Sequence, residues 1–401
     1  MSFLKKIFFQ LYCFSFYFRK PLIFDVKLLE LMFPFVFISL LRSSIVLGKG
    51  TFLLGLFFSY IVLNFLISSF YFESVLGLAD VFRYFYSILS SIALLNFFAD
   101  NFRSYHQISR WFVRIGLVVC VLSIIGFYSR GNYFSYFVSV SESAWKPARA
   151  VGLDINPNYF SIYLMLLSAM ILAKIPKRQS YINYCSFGIV ILAVASTLSR
   201  TVAIVIFTQI IVFLVVAKGF GFFKKMAALS FLVLPLILAS IIGMGAALLE
   251  RGKQSFEGDG DIRFLLWHTA LKEFQESPLF GVGIGRSAEV IENEIGYALT
   301  THNQYVENLL ELGIIGFLFF MSFHVFIISQ CWKSYKVYKR ESTLGLLLFF
   351  ISCLVFYFGN TGFTSRVIWF AVALFWIDQT IIRRKSFAIK NVQLELNSLG
   401  S

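Results

Sequence analysis

The sequence predicts an all-α fold: a polytopic integral membrane protein with about 11–12 transmembrane helices and one large extramembrane loop that itself contains helices. Three observations predict it. Hydrophobic residues make up 58% of the 401 and charged residues only 14%, whereas a soluble domain carries roughly a quarter charged. Apolar runs of about 20 residues, the length a helix needs to cross the hydrocarbon core, recur along the chain. The Lys and Arg behind the net charge of +14 sit in short clusters between those runs, which is positive-inside patterning and argues against a nucleic-acid partner. The 50 Phe residues suit lipid-facing helix surfaces.

The runs that meet or approach spanning length are 28–47, 52–72, 77–98, 111–129, 157–174, 182–198, 200–217, 228–249, 304–330, 343–360 and 363–382. The apolar stretch 182–217 is too long for one span and divides at Ser199-Arg200; 343–382 divides at Gly359-Asn360-Thr361-Gly362. Basic clusters at Lys174/Lys177/Arg178, Lys218/Lys224/Lys225, Lys333/Lys336/Lys339/Arg340 and Arg383/Arg384/Lys385 are expected on the cytoplasmic side. They put 130–156, Ser199-Arg200, 250–302 and 359–362 on the outer side. Towards the N-terminus the signals conflict. Eleven spans with an inside C-terminus place the N-terminus outside, while Lys5, Lys6, Arg19 and Lys20 argue for inside. Either residues 7–18 add a short membrane segment or 28–47 is re-entrant or broken near Pro34 or Arg42.

The organisation read from this pattern is a single membrane domain over 1–401, with a smaller outer loop at 130–156 and a large one at 250–302. The large loop holds nine of the 21 acidic residues. Within it, 261–276 has helical periodicity, Ser277-Pro278 stops that helix, and Gly281-Val282-Gly283-Ile284-Gly285 follows as a flexible or tightly turned loop. No internal repeat, low-complexity tract or convincing cleavable signal peptide is expected. The five cysteines lack CxxC spacing and read as small apolar residues, neither a zinc site nor a disulfide framework.

Four polar features fall at the outer face. Arg200 stands between two apolar spans, where a charge is costly and ordinarily faces a cavity or partner; the plainer reading is a side chain snorkelling to lipid headgroups. Arg263 lies on the loop helix ahead of Trp267, and two guanidinium groups around one cavity would make a diphosphate clamp. His302, in Thr301-His302-Asn303-Gln304-Tyr305-Val306-Glu307-Asn308, has the pKa of a general base near neutrality, although a His at a helix start is more often a cap or packed polar group. Arg149 and Asn156-Pro157-Asn158 mark the outer end of span 157–174; Asn-Pro is an ordinary helix start, and Arg149 is a third anion contact at most. No GxxxxGK[ST], HExxH or GxSxG motif occurs, so nucleotide hydrolysis, a catalytic metal and a serine-elbow mechanism are not indicated, and no cofactor is expected.

Taken in order, these motifs resemble the signature of the O-antigen ligase and polymerase superfamily. The resemblance rests on His302-Asn303-(three residues)-Glu307 running on to Glu311-Leu312-Gly313-Ile314-Ile315-Gly316. It rests equally on Arg263-(three)-Trp267-(two)-Ala270, which continues to Ser277-Pro278-Leu279-Phe280-Gly281-Val282-Gly283-Ile284-Gly285. Ser199-Arg200-Thr201 and Asn156-Pro157-Asn158 sit where that family has them. It covers roughly 145–330; the N-terminal spans match only in being hydrophobic.

The resemblance implies metal-independent glycosyl transfer at the periplasmic face of a bacterial inner membrane, from a glycan carried on undecaprenyl diphosphate. Arg200 and Arg263 would hold the diphosphate and His302 would deprotonate the acceptor hydroxyl. Arg149, Tyr305, Asn303 and Glu307 would be further substrate contacts. Implied partners are the lipid-linked glycan, the bilayer and a chain-length regulator. Polymerisation of repeat units is the expected reaction, with transfer of finished glycan to lipid A-core as the alternative within the family. A flippase for the same lipids is the alternative of another class; it should show repeat symmetry and charges near the midplane, whereas this chain concentrates its polar features at one face.

Overall fold

The computed structural model describes residues 47–48, 50–99, 102–139, 148–175, 181–217 and 260–399. Among them the chain is almost entirely helical, in eleven helices: α1 Thr51–Phe72, α2 Leu78–Ala99, α3 Phe102–Tyr128, α4 Pro157–Leu172, α5 Tyr181–Ser196, α6 Arg200–Val216, α7 Gly260–Glu276, α8 Ser287–Ile295, α9 Gln304–Tyr338, α10 Glu341–Phe356 and α11 Arg366–Leu399. The one sheet among these residues is an antiparallel pair of two-residue strands, β1 Val138–Ser139 and β2 Arg149–Ala150.

The expected all-α membrane architecture is what folds. Helices within Thr51–Phe72, Leu78–Asn96, His106–Tyr128 and Gln304–Tyr338 are long and apolar enough to cross a bilayer. Pro157–Leu172, Tyr181–Ser196, Arg200–Val216 and Glu341–Phe356 are apolar but have 16 or 17 residues, about 24–26 Å of helix against a hydrocarbon core of about 30 Å. The runs 28–46 and 228–249 lie outside the described residues. Both inferred divisions are present: α5 ends at Ser196 and α6 starts at Arg200, while α10 ends at Phe356 and α11 starts at Arg366.

Local chemistry places the ends. Asn156 caps α4, its side-chain oxygen accepting from the Asn158 N–H at 2.8 Å with Pro157 in the first turn; Asn303 caps α9 by accepting from the Tyr305 and Val306 N–H groups. These satisfy donors that a helix start leaves without intrahelical partners. Packing joins α2 to α11, α10 to α4, α6 and α9, α3 to α5, and α7 to α9. The buried centre is aromatic: Phe320, Phe323, Tyr357 and Phe363 surround His324, and Trp369 packs on Phe323 and Phe363. Cys120, Cys331 and Cys353 are buried, as small apolar residues are. Cys185 departs from that expectation and is exposed on α5, and Cys13 lies outside the described residues.

The expected single span at 304–330 is a helix running on to Tyr338 and broken inside at Gly313, where φ is 63° and ψ is −171°. A break strips backbone groups of their helical partners, at a cost of several kcal/mol each if they are left facing lipid. Here the segment 278–283 supplies them. Val282 N–H donates to Leu310 O at 2.8 Å and Gly283 N–H to Glu311 O at 3.0 Å; Ile314 and Ile315 donate back to Pro278 O and Leu279 O. From α1, the Tyr60 hydroxyl donates to Leu312 O at 2.6 Å, the Asn64 amide donates to Phe280 O at 2.7 Å, and Asn64 Oδ1 accepts from Ile284 N–H at 2.9 Å. The glycines are required by this approach: a Cβ at Gly313 would stand 2.3 Å from Leu279 O and one at Gly281 2.5 Å from Leu310 O. The 281–285 segment is therefore a docked, tightly turned loop.

Candidate functional site

The candidate site gathers at the end of the bundle where α9 begins. Arg263 and Trp267 are four residues apart on α7, one turn of helix, and so share a face. Trp267 Nε1–H donates to Thr301 O at 2.9 Å, which fixes that face of α7 against the turn leading into α9. His302 is the next residue, in the left-handed region at φ 51°, a conformation uncommon for a non-glycine and recurrent at functional sites. The guanidinium of Arg263 is close enough for its charge to act on the His302 ring. The imidazole pKa is lowered, first by burial and then by Arg263. His302 is thus a neutral, half-buried base at neutral pH, beside a fixed cation.

Arg200 reaches the same end by a separate route. Its neighbour Thr201 packs on the 357–365 connection, since a Cβ at Gly359 would lie 2.6 Å from Thr201 Oγ1. Gln304 pins that connection to the start of α9: its backbone N–H donates to Tyr357 O at 2.9 Å, and its buried Oε1 accepts from Gly362 N–H at 2.9 Å and Phe363 N–H at 3.0 Å. Arg200 itself is exposed at the first position of α6, and forms no ion pair among the described residues.

Behind Arg200, the pieces read separately in the sequence form one cluster. Arg149 Nε–H donates to Thr197 O at 2.9 Å, and Ser199 Oγ–H donates to Asn158 Oδ1 at 3.2 Å. Arg149 and the Asn156-Pro157-Asn158 helix start therefore hold the turn from which Arg200 projects.

The remaining predicted contacts have clear positions. Asn303 spends its side-chain oxygen on the α9 cap. The Tyr305 hydroxyl donates to Leu354 O at 2.5 Å, tying α9 to α10. Glu307 Oε2 accepts from Thr301 Oγ1 at 2.8 Å, one residue before His302. One turn further on, Glu311 Oε1 accepts from the Ser287 N–H at 3.2 Å, and Asp80 of α2 lies within electrostatic reach of both carboxylates. Among the described residues no three His, Cys, Asp or Glu are grouped so as to hold a metal ion.

Three residues of this end escape a reading by motif. Gln304 sits inside the Thr301–Asn308 motif, where nothing in its residue type marks it above its neighbours. Asn64 and Arg286 lie outside it. A lone Asn in the apolar run of α1 carries a signal, since polar groups in spans bind another element. Arg286 is buried, stacks at 3.4 Å on the Phe72 ring and pairs with Glu289 at 2.9 Å.

Residues 185–321 match a family model described as O-antigen ligase. This segment runs from α5 to the middle of α9 and contains Arg200, Arg263 and His302. No curated protein matches the chain. The matched segment, which builds this end of the bundle, is thus similar to the O-antigen ligase family.

Proposed function

We propose that the chain is a metal-independent glycosyltransferase of the bacterial inner membrane. It takes a glycan from undecaprenyl diphosphate at the periplasmic face and joins it to another lipid-linked repeat unit. The observation that carries this reading is the pairing of Arg263 with His302, a neutral base held beside a guanidinium by the Trp267–Thr301 hydrogen bond. The orientation is supported by charge: Lys333, Lys336, Lys339 and Arg340 lie at the far end of α9 from His302, as cytoplasmic residues should. The large outer loop, 250–302, then contributes α7 and α8 to the periplasmic face, and 130–156 forms the smaller one.

In the reaction the acceptor hydroxyl oxygen attacks the anomeric carbon of the donor sugar and its proton passes to the His302 ring. The bond from that carbon to the phosphate oxygen breaks, and undecaprenyl diphosphate leaves with the electron pair. Arg263 and Arg200 hold the diphosphate, where negative charge grows as the bond breaks, so their donors act more strongly in the transition state than in the ground state. Burial and Arg263 both keep His302 unprotonated, which a base accepting a proton from a hydroxyl requires. A second reading, transfer of finished polymer to lipid A-core, is favoured by the description of the matched family as a ligase.

The test is His302→Ala expressed in cells lacking the native copy, with membrane level checked by immunoblot and surface glycans resolved on gels. Loss of modal-length polymer with a single repeat on lipid A-core supports polymerisation. Full-length polymer retained on undecaprenyl diphosphate, with bare lipid A-core, supports the ligase reading. Normal polymer on the variant would remove His302 and the whole site assignment.

A further inference from the structure

Far from the site, at the end of the bundle where α3 begins, two arginines stand inside or beside a membrane span. Arg110 and Arg114 are four residues apart on α3, both exposed, within the apolar stretch His106–Tyr128. Neither has an ion pair among the described residues. Arg110 Nε–H donates to His106 O at 3.2 Å, and the Arg114 guanidinium lies 5.7 Å from the centre of the Trp111 ring. Like charges at this spacing repel, and a charge in a span is costly unless a partner compensates it. Side chains on a helix lean towards its N-terminus, so both guanidinium groups reach back towards the nearer membrane surface.

Directly beyond Arg114 an apolar groove of about 480 Å³ opens along α3. Trp111, Ile115, Val118 and Leu122 line it from α3, and Phe137 and Leu153 line it from the segments that follow α3. From residue 111 to residue 122 the groove runs about 16 Å, close to the depth of one leaflet, half of a core of about 30 Å. Val118 on its wall is 58% exposed. The charge and the shape ask for one molecule: an anionic head for the two arginines and an extended hydrocarbon chain for the groove.

We infer that Arg110, Arg114 and the groove below them bind an anionic glycerophospholipid, its phosphate on the two guanidinium groups and one acyl chain along α3. The site is independent of the glycosyl-transfer reading. Basic clusters on the cytoplasmic side of transmembrane helices recruit anionic lipids, each cation strengthening binding several-fold.

The experiment titrates the detergent-purified full chain with phosphatidylglycerol or phosphatidylcholine and counts bound lipid by native mass spectrometry. The expected result is one saturable phosphatidylglycerol per chain, with phosphatidylcholine much weaker. The double variant Arg110→Gln/Arg114→Gln should bind phosphatidylglycerol about thirtyfold more weakly. Val118→Trp, which fills the groove at an exposed position, should weaken it without touching either charge. Lys336→Gln, which removes an exposed cation from α9, should leave it unchanged. Equal binding of both lipids, undiminished binding by the double variant, or an equal loss with Lys336→Gln would overturn the inference. If the double variant fails to fold, Val118→Trp decides alone, and unchanged affinity there overturns it.

Discussion

Gln304 is the joint on which the two halves of the site depend, and its removal has a consequence that can be worked from the structure. The side chain is 6% exposed. Its Oε1 accepts from two backbone N–H groups, Gly362 and Phe363, and its Nε2–H donates to Asn308 Oδ1 at 3.1 Å. In Gln304→Ala both backbone donors lose their acceptor. A buried unsatisfied donor costs about 1–3 kcal/mol, so two cost at least about 2 kcal/mol, and the connection regains hydration by opening. That cost corresponds to about thirtyfold faster local opening. The assay is hydrogen exchange by mass spectrometry on the detergent-purified protein, following a peptide over 357–365 with one inside α11 as reference. Gln304→Glu keeps an acceptor for both N–H groups, and the Asn308 amide, whose Nδ2 is buried without a hydrogen bond, can turn to meet the new oxygen. It should therefore exchange more slowly than the Ala variant. Exchange of 357–365 unchanged by Gln304→Ala would refute the claim that this one side chain holds the connection.

Two further outcomes follow from geometry already described. Gly313→Ala forces a Cβ to within 2.3 Å of Leu279 O at a positive φ and should cost about 2–6 kcal/mol, seen as a lowered unfolding temperature; Gly55→Ala, with open space around the new methyl, should be neutral or slightly stabilising. Arg263→Gln removes a cation that helps hold the His302 pKa below its ordinary value, so that pKa rises and the acid limb of the transfer rate should move to higher pH. Arg263→Lys keeps the charge and should leave the limb in place.

Much of the architecture is legible in apolar run length alone, because the bilayer permits few solutions for a backbone with no water to bond to. The Ser199-Arg200 and 359–362 divisions could be read because no helix spans a membrane twice. His302 and Arg263 were legible as types of residue in a familiar order, and Trp267 lies between them in that pattern. That they meet follows from one indole hydrogen bond to Thr301 O, which no spacing encodes. The break at Gly313 was illegible for another reason. Apolar periodicity continues through it, and the helix yields there only because 278–283 and α1 supply partners from 28 to 36 and from 252 residues away. Asn303, Tyr305 and Glu307 show the converse: each stands in the recognisable motif, and each has a structural hydrogen bond that composition could not assign.

The docking of 278–283 on the broken helix is made by main-chain groups, and this leaves the side chains of Leu279 and Phe280 to face outward. Leu279 is 55% exposed and Phe280 48% exposed, although both residues sit in backbone that is hydrogen-bonded to α1 or α9. As long as the glycines stay, the surface facing outward from this loop can be rewritten without loosening the joint beneath it. A scaffold of this kind separates the groups that hold the joint from the groups that face outward, and it sets the two within a few positions of each other.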